Sequence, residues 1–331
     1  MRRFLVKRRR ALALSGSVLA APMIASGIAR AAGDWPNKLV RYINVFPPGG
    51  PTDTLSRIVC NQLSELTSVQ FVVENKSGSG GNVGTEAIAT APPDGYTIGL
   101  YTIASQSIAP TLYAKLPFNV EKDFTAIAMM WSVCNMLMTR LDLPAKSVPE
   151  LIALIKDSPG KYSFASSGAG TTPHITGEIF KQLAHLNLLH VPYRGSAPAQ
   201  QDLLAGQVDM MFDNIPGPLT LMRGGKVRGL AVTSLERHPA VPDLPTMAEF
   251  LPGFEITSWG GICGPAGLPP AMVEKCADLT KKALESAAVK AAFEKQGAVA
   301  FWMSPADTAA YRAADEKRLA PVIKASGAKV E

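Results

Sequence analysis

The stretch that decides the fold reads LVRYINVFPPGGPTD from Leu39 to Asp53. Its first eight residues have the apolar and β-branched character of a buried strand, and a turn rich in proline and glycine follows. That turn leads directly into a helical pattern. A strand that passes through a glycine turn into a helix is the basic unit of a parallel α/β sheet, so the stretch predicts an α/β fold.

A second stretch, about thirty residues further along, repeats this pattern. It reads VQFVVENKSGSGGNVG from Val69 to Gly84, and a strand again passes through a glycine turn into a helix. If both strands belong to one parallel sheet, both turns lie at its carboxyl edge. Two helix N-termini would then point free N–H groups into one crevice, which is suited to binding an anion.

The rest of the chain alternates between strand-like and helix-like segments. Two stretches are expected to cross between two halves and so create a cleft: residues 129–142, which are continuous and apolar, and residues 257–270, which contain Trp259-Gly-Gly261. We therefore predict two doubly wound α/β domains with a ligand cleft between them, residues 34–133 plus 259–331 forming the first and residues 134–258 the second. The predicted strands are 39–46, 69–74, 97–102, 125–139, 162–166, 187–191, 207–212, 228–233, 256–263 and 298–302.

The net charge of +6 belongs to the first 31 residues and not to the body of the protein. These residues contain seven Lys and Arg and no acid, and subtracting the seven from 33 leaves 26 basic residues against 27 acidic ones, a net charge of −1. A nearly neutral body argues against a nucleic-acid partner, because such binding needs a clustered basic face.

Residues 1–31 form a predicted signal peptide. A basic start is followed by an apolar stretch from Ala11 to about Ile28 and by Ala29-Arg-Ala31, an A-x-A cleavage site. Interruptions by Ser, Gly and Pro argue against the alternative, a membrane anchor, and no later run is long enough to span a membrane. The mature chain is therefore expected to be exported, by the general or the twin-arginine route. Export permits disulfides, but the four cysteines fit buried free thiols better.

Several enzyme and cofactor signatures are absent from the sequence. It has no G-x-S-x-G turn, no H-E-x-x-H motif and no Walker A loop, and its four histidines show no metal spacing. The glycines of the second turn stand at relative positions 1, 3, 4 and 7, where the dinucleotide fingerprint needs 1, 3 and 6. We therefore expect no cofactor, no metal and no catalytic residue. A secreted α/β enzyme that uses Ser166, Ser167 and His174 is a weaker alternative.

A third glycine turn, SSGAGTTPH from Ser166 to His174, also joins a strand to a helix. Tyr193-Arg-Gly-Ser196 and Asp213-Asn-Ile215 end two further predicted strands. We expect all five segments to face one crevice between the halves. Backbone N–H groups there can hold a carboxylate through charge-assisted bonds of about 1.5–3 kcal/mol each, which would support micromolar binding without a buried arginine.

A set of motifs, highly specific in order and spacing, runs from about Trp35 to Ser326. They occupy residues 46–53, 74–84, 93–97, 112–118, 122–124, 190–199, 202–213, 244–246 and 259–261. In these motifs the chain resembles the periplasmic solute-binding proteins of tripartite tricarboxylate transporters, the Bug family. The resemblance implies a type II periplasmic-binding-protein fold, a monomer located in the periplasm, and closure around a small organic carboxylate. It implies the integral membrane subunits of a transporter as partners.

The resemblance also implies the ligand-binding residues. In the family the first two turns grip the ligand carboxylate, partly through ordered water. The corresponding residues here are Pro48, Gly49, Asp53, Gly80, Gly81 and Gly84. The second domain would contribute Ser167, Gly168, Thr171, Arg194, Gly195, Ser196 and Asp213.

One segment departs from the family pattern. Members often carry His-Ala-Ile-Asn-Pro where this chain reads Gln106-Ser-Ile-Ala-Pro110. We expect Gln106 in the cleft, and a ligand whose distal end differs. Tyr101, Trp131 and Trp259 are candidates to shape that end, with core packing as the alternative for each.

The sequence therefore predicts a non-enzymatic receptor that delivers a carboxylate to a transporter. A periplasmic carboxylate sensor that feeds a signalling system is the alternative. Which acid binds is left open by the sequence.

Overall fold

The computed structural model describes residues 35–330, so the predicted signal peptide lies outside the described residues. Ten strands occupy the ten segments that the sequence pattern predicts. They are β1 (Val40–Asn44), β2 (Phe71–Asn75), β3 (Thr97–Thr102), β4 (Phe124–Thr139), β5 (Ser163–Ser166), β6 (Leu189–Pro192), β7 (Met210–Asn214), β8 (Arg228–Val232), β9 (Thr257–Pro265) and β10 (Val299–Met303).

Helices alternate with these strands, and several of them begin after a serine whose side chain caps the helix N-terminus. Ser147 Oγ accepts a hydrogen bond from the Glu150 N–H, and Ser304 Oγ accepts one from the Asp307 N–H. A π-helical turn, Ala104–Ile108, leads into a short helix. The helices are α1 (Pro51–Thr67), α2 (Asn82–Ala89), α3 (Ala109–Leu112), α4 (Val148–Asp157), α5 (Thr172–Ala184), α6 (Ser196–Leu204), α7 (Pro216–Arg223), α8 (Pro270–Glu285), α9 (Ala287–Gln296) and α10 (Pro305–Ala325).

The glycine turns lie where parallel strands end. β1 lies between β2 and β3 and runs parallel to both, with Val40 beside Phe71 and Arg41 beside Thr97. This register confirms that the first two turns share one carboxyl edge. In the other half of the sheet β5 runs parallel to β6 and β7, so the turns after these strands share an edge as well.

Two long strands join the halves. β4 has 16 residues; it pairs antiparallel with β9 as far as Cys134 and then, from Asn135 to Thr139, with β7. β8 and β10 also pair with β4. These strands lie within or next to the two stretches that were expected to cross between the halves. The exact domain limits remain a prediction.

The core contains the large aromatic residues of the crossing region. Trp131, Trp259 and Tyr101 are 0%, 1% and 3% exposed, so core packing describes them and they do not line the cleft. The Trp259 indole N–H donates to Asp315 Oδ2 at 2.9 Å. The four cysteines are buried and free. Among residues 35–330, no helix combines the length and the apolar character needed to cross a membrane.

Candidate functional site

The glycine turns of the two halves face each other and enclose an inner cavity of about 190 Å³. One wall is the turn between β1 and α1 together with the end of β3, and the opposite wall is built from the turns that precede α5 and α6. Within the part of the chain that the structure describes, no charged side chain lines this cavity. Five of the predicted ligand-binding residues line it: Pro48, Ser167, Thr171, Gly195 and Ser196.

Three helix N-termini converge on the inner cavity. The N-cap residues are Gly50 for α1, Thr171 for α5 and Gly195 for α6, and no side chain caps any of the three helices. Each such N-terminus leaves backbone N–H groups without a helical acceptor and carries about half a positive charge. The cavity is therefore electropositive without a lysine or arginine, which suits a carboxylate.

Thr52 is a cavity residue that sequence reasoning missed. It lines the inner cavity, is 6% exposed, and its hydroxyl has no hydrogen-bond partner among the described residues. An unpaired buried hydroxyl costs free energy, so an acceptor on a bound acid would satisfy it. Its place beside Pro51, in the first turn of a helix without a side-chain cap, is the signal that could have identified it.

A larger outer cavity of about 500 Å³ adjoins the inner one. Phe46, Pro47, Ser167 and Gly195 line both cavities and form the boundary between them. Arg194 is exposed and gives the outer cavity a cationic side chain, which the inner cavity lacks. The predicted residues that line only the outer cavity are Gly80, Gly81, Gly168 and Arg194.

The Asp53 carboxylate is engaged in building the first wall and lines neither cavity. It accepts hydrogen bonds from the Gly49 N–H at 3.0 Å, from Arg57 at 3.0 Å and from the Asn75 amide at 2.8 Å. Burial alone would raise the pKa of Asp53, but these bonds outweigh it and hold the pKa below its ordinary value. Asp53 therefore fixes the turn that carries Pro48, because it ties α1 to the loop and to the end of β2.

Asp213 has a corresponding role in the second wall. It is fully buried and accepts from Ser196 Oγ at 2.9 Å, from Gln200 Nε2 at 2.8 Å and from the Asn214 N–H at 2.9 Å. Burial raises the pKa of Asp213 to about 6, although the three donors act in the opposite direction. Its contact with Ser196 sets the orientation of a hydroxyl at the inner cavity, which Asp213 itself does not line.

Three other predicted residues also lie off both cavities. Gly49 lines a separate groove with Thr54 and Gln200. A Cβ on Gly84 would overlap the Lys76 carbonyl oxygen, so this glycine permits close helix–strand packing. Gln106 is fully buried in the π-helical turn, and its side-chain amide has no partner among the described residues. Its backbone carbonyl oxygen accepts a hydrogen bond from Arg312 at 3.4 Å.

Two of the three residues of the enzyme alternative, Ser166 and His174, are held in a buried stack behind the second wall, whereas Ser167 lines both cavities. His174 and His190 stack with ring centroids 4.2 Å apart, and Ser166 Oγ lies 2.7 Å from His190 Nε2. Burial lowers the pKa of His174 to about 4 and that of His190 to about 3. Ser166 is fully buried and lines neither cavity, so the Ser166–His190 pair does not present a nucleophile to the cleft. Ser167 reaches the cleft, but the histidine stack is bonded to Ser166 and not to Ser167.

The same cluster contains three residues of types that bind metal ions. Ligand atoms of His174, Glu178 and His190 lie within 4.8 Å of one another. However, His174 Nδ1 accepts from the Gly170 N–H at 3.2 Å, and the Glu178 carboxylate pairs with Lys181 at 2.8 Å. His190 Nε2 lies 2.7 Å from Ser166 Oγ, so each of the three residues already has a protein partner for one of its ligand atoms.

Known proteins are similar to this chain in sequence and in fold. BugT of Bordetella pertussis is 34% identical over 328 residues, which cover 97% of this chain and 99% of BugT. The structure of Rpa4515 from R. palustris with adipate matches with a TM-score of 0.87 at 33% identity, and the match covers 90% of this chain and 100% of Rpa4515. MatC from Rhodopseudomonas palustris, with bound malate, matches with a TM-score of 0.83 at 29% identity over 87% of this chain and 100% of MatC.

The match to a described family extends along most of the chain. Residues 55–328 match the TctC family, described as "Tripartite tricarboxylate transporter family receptor". The cleft is consistent with this match, because its inner cavity is made electropositive by helix N-termini and not by charged side chains. The match shows that the protein belongs to the TctC family of solute-binding receptors and is not an enzyme.

Proposed function

We propose that this protein is an exported periplasmic receptor that captures a small organic carboxylate in the cleft and delivers it to the membrane subunits of a tripartite transporter. The observation that carries the proposal is the inner cavity, on which three helix N-termini without side-chain caps converge and which no charged side chain lines. Hydrogen bonds from such N–H groups hold an anion without desolvating a cationic side chain.

The strength of these contacts suits a carrier. A charge-assisted hydrogen bond contributes about 1.5–3 kcal/mol net. Three or four of them, from backbone N–H groups of the three helix N-termini and the hydroxyl of Thr52, reach the roughly 8 kcal/mol of a micromolar complex. An affinity in this range allows capture at low concentration and still permits release to a membrane partner.

The size of the cavities supports a small acid. The inner cavity, at about 190 Å³, is smaller than the roughly 300–1,000 Å³ that is usual for pockets that bind drug-sized ligands. A longer acid would extend past Ser167 and Gly195 into the outer cavity, where Arg194 can meet a second anionic group. The adipate and malate bound to the relatives Rpa4515 and MatC are acids of this kind.

Closure is proposed to occur about the crossing strands β4 and β9. The first domain then comprises residues 34–133 plus 259–331, and the second comprises residues 134–258. Each wall of the cleft belongs to one domain, so an acid that contacts both walls favours the closed state over the open one.

Isothermal titration tests the binding proposal. The mature chain is titrated with adipate, malate, hexanoate and benzoate, and with glucose and putrescine as an uncharged and a cationic control. We expect at least one acid to bind with a micromolar Kd and neither control to bind. Binding of glucose or putrescine, with no acid bound, would contradict the proposal.

Uptake measurements separate transport from sensing. Deletion of the gene should abolish uptake of the acid that binds, and the plasmid-borne gene should restore it. A sensor would instead leave uptake through a constitutively expressed transporter unchanged and would remove only the transcriptional response to the acid.

A further inference from the structure

The two walls of the cleft also touch each other directly, at residues that line the outer cavity. The Tyr113 hydroxyl lies 3.2 Å from the carbonyl oxygen of Ser79, on its own side of the cleft. It also lies 3.1 Å from the carbonyl oxygen of Ala169, in the turn on the opposite side. The hydroxyl therefore bridges two backbone segments that belong to different halves of the molecule.

The fit around this bridge is close. A Cβ on Gly80 would overlap the Ala169 carbonyl oxygen, and a Cβ on Gly170 would lie 3.0 Å from Tyr113 Cε2 and 3.1 Å from Leu112 Cδ2. These contacts join residues on opposite sides of the cleft, so they exist only while the cleft is closed. Glycine at positions 80 and 170 is what allows the walls to approach this far.

A hydroxyl is needed at the contact for an electrostatic reason. Two carbonyl oxygens face the same point, and both carry partial negative charge. The single O–H of Tyr113 donates to them in a shared bond, and without it the Ala169 carbonyl would lose its donor across the cleft. Phenylalanine has nearly the same shape but cannot supply this proton.

The backbone around Tyr113 is held in place before the cleft closes. The Val330 N–H donates to the Leu112 carbonyl at 3.2 Å, and the Ala114 N–H donates to the Val330 carbonyl at 3.3 Å. Both pairings lie on the same side of the cleft as Tyr113. The hydroxyl is therefore preorganised for the Ala169 carbonyl and needs little reordering on closure.

We propose that Tyr113 is a positioning residue that fastens the closed cleft, so that it prolongs the residence of a bound acid without selecting which acid binds. This inference rests on the proposed carboxylate-binding function. The contact, which we name the latch, consists of Tyr113, Ser79, Gly80 and Ala169. The latch adds a contact between the two walls, within the one chain, to the contacts that the acid makes with both walls.

Two variants weaken the latch, and each has a matched control. Tyr113→Phe removes the bridging hydroxyl; its control, Tyr96→Phe, removes an exposed hydroxyl that bonds to Asn37 Oδ1 at 2.8 Å. Gly80→Ala, at φ 62, places a methyl group against the Ala169 carbonyl. Its control, Gly225→Ala, has nearly the same backbone conformation, φ 64, and an added Cβ there meets no atom within 4 Å.

The experiment measures dissociation rates by stopped flow and Kd by titration, with succinate, glutarate and adipate as probes. Tyr113→Phe should accelerate the dissociation of every acid that binds by the same factor. We expect a factor of about two to ten, which corresponds to the net free energy of one hydrogen bond. Gly80→Ala should act in the same direction and more strongly. The rank order of the acids should not change, and both controls should match the wild type.

The outcomes separate the two proposals. If the wild type binds an acid and both latch variants match their controls, the latch is refuted while the carboxylate function stands. A change in the rank order of the acids on Tyr113→Phe would also refute it, because it would make Tyr113 a specificity residue. A wild type that binds no acid overturns the proposed function and the latch together.

Discussion

At the scale of single residues, the aspartates near the cleft and the hydroxyl residues that line it have different roles. Asp53 and Asp213 each accept hydrogen bonds from their own wall and hold its loop in place. Thr52 and Ser196 are uncharged residues that line the inner cavity. Carboxylates aimed into the cavity would repel an acid, so the two aspartates contribute to binding through the backbone that they position.

Thr52 provides a prediction at this scale. Its hydroxyl is buried without a partner, so Thr52→Val removes an unpaired polar group from the free protein and a donor from the complex. We expect affinity for the bound acid to fall about fivefold to tenfold. We expect the free energy of unfolding to stay the same or to rise by up to about 1 kcal/mol.

Thr54→Val is the matched control for this change. Thr54 lies on the same helix but lines the separate groove beside Gly49 and Gln200, which is neither of the two cavities, so affinity should not change. Titration and urea unfolding of both variants provide the measurements. Equal affinities of Thr52→Val and the wild type would remove Thr52 from the site.

At the scale of elements, the turn before α5 depends on the buried histidine stack. His174 Nδ1 accepts from the Gly170 N–H, and His190 holds Ser166 at the start of the same turn. Burial, with Lys181 nearby, lowers the pKa of both imidazoles, so both are neutral in the folded protein at pH 7. The turn that carries Ala169 and Thr171 is therefore supported by groups that become charged only on unfolding or in strong acid.

The pH dependence of stability follows from this arrangement. Between pH 6.5 and about 4 the unfolded chain protonates these histidines and the folded chain does not. The stability that the two neutral histidines give the folded protein is complete above pH 6.5. It is lost as the pH falls, by about 1.4 kcal/mol of unfolding free energy per pH unit for each histidine. Asp213 has the opposite effect on stability below about pH 6. Because its pKa is raised in the folded protein, the folded state binds the proton first, and this term of the unfolding free energy rises as the pH falls.

A variant isolates the histidine contribution. In His190→Phe the free energy of unfolding should depend less steeply on pH between 5.5 and 4.5, by about 1.4 kcal/mol per unit. His185→Asn, at an exposed helix C-cap with φ 54, should leave the slope unchanged. Urea unfolding at a series of pH values measures both. An unchanged slope in His190→Phe would contradict the neutral stack.

The crossing strands supply a second element-scale prediction. A Cβ on Gly260 in β9 would overlap the ring of Trp131 in β4, which is fully buried. Gly260→Ala should therefore destabilise the protein by about 1–3 kcal/mol through overpacking. Gly224→Ala is the control, since an added Cβ there lies no closer than 3.4 Å to another atom. Equal urea midpoints for the two variants would show that the crossing can repack.

At the scale of the whole molecule, the binding site exists only because two halves meet. The inner cavity takes residues from turns that lie more than a hundred residues apart in sequence, such as Pro48 and Ser196. We expect an acid that binds to lower the radius of gyration in small-angle X-ray scattering, since it favours the closed cleft. Glucose should leave the radius unchanged. Saturation by an acid without compaction would argue against hinge closure.

Much of this architecture was available from local sequence. Apolar runs of strand length, glycine turns and capping serines predict all ten strands and the start of α10 at Pro305, because backbone sterics and helix capping act over a few residues. The family motifs likewise indicate a receptor for a carboxylate. Tertiary structure decided what each motif residue does. Asp53, Gly84 and Asp213 build the walls, Thr52 faces the cavity, and Tyr113 meets Ala169 from 56 residues away. These roles depend on burial and on contacts across the cleft, and no local pattern encodes which side of a turn will face another.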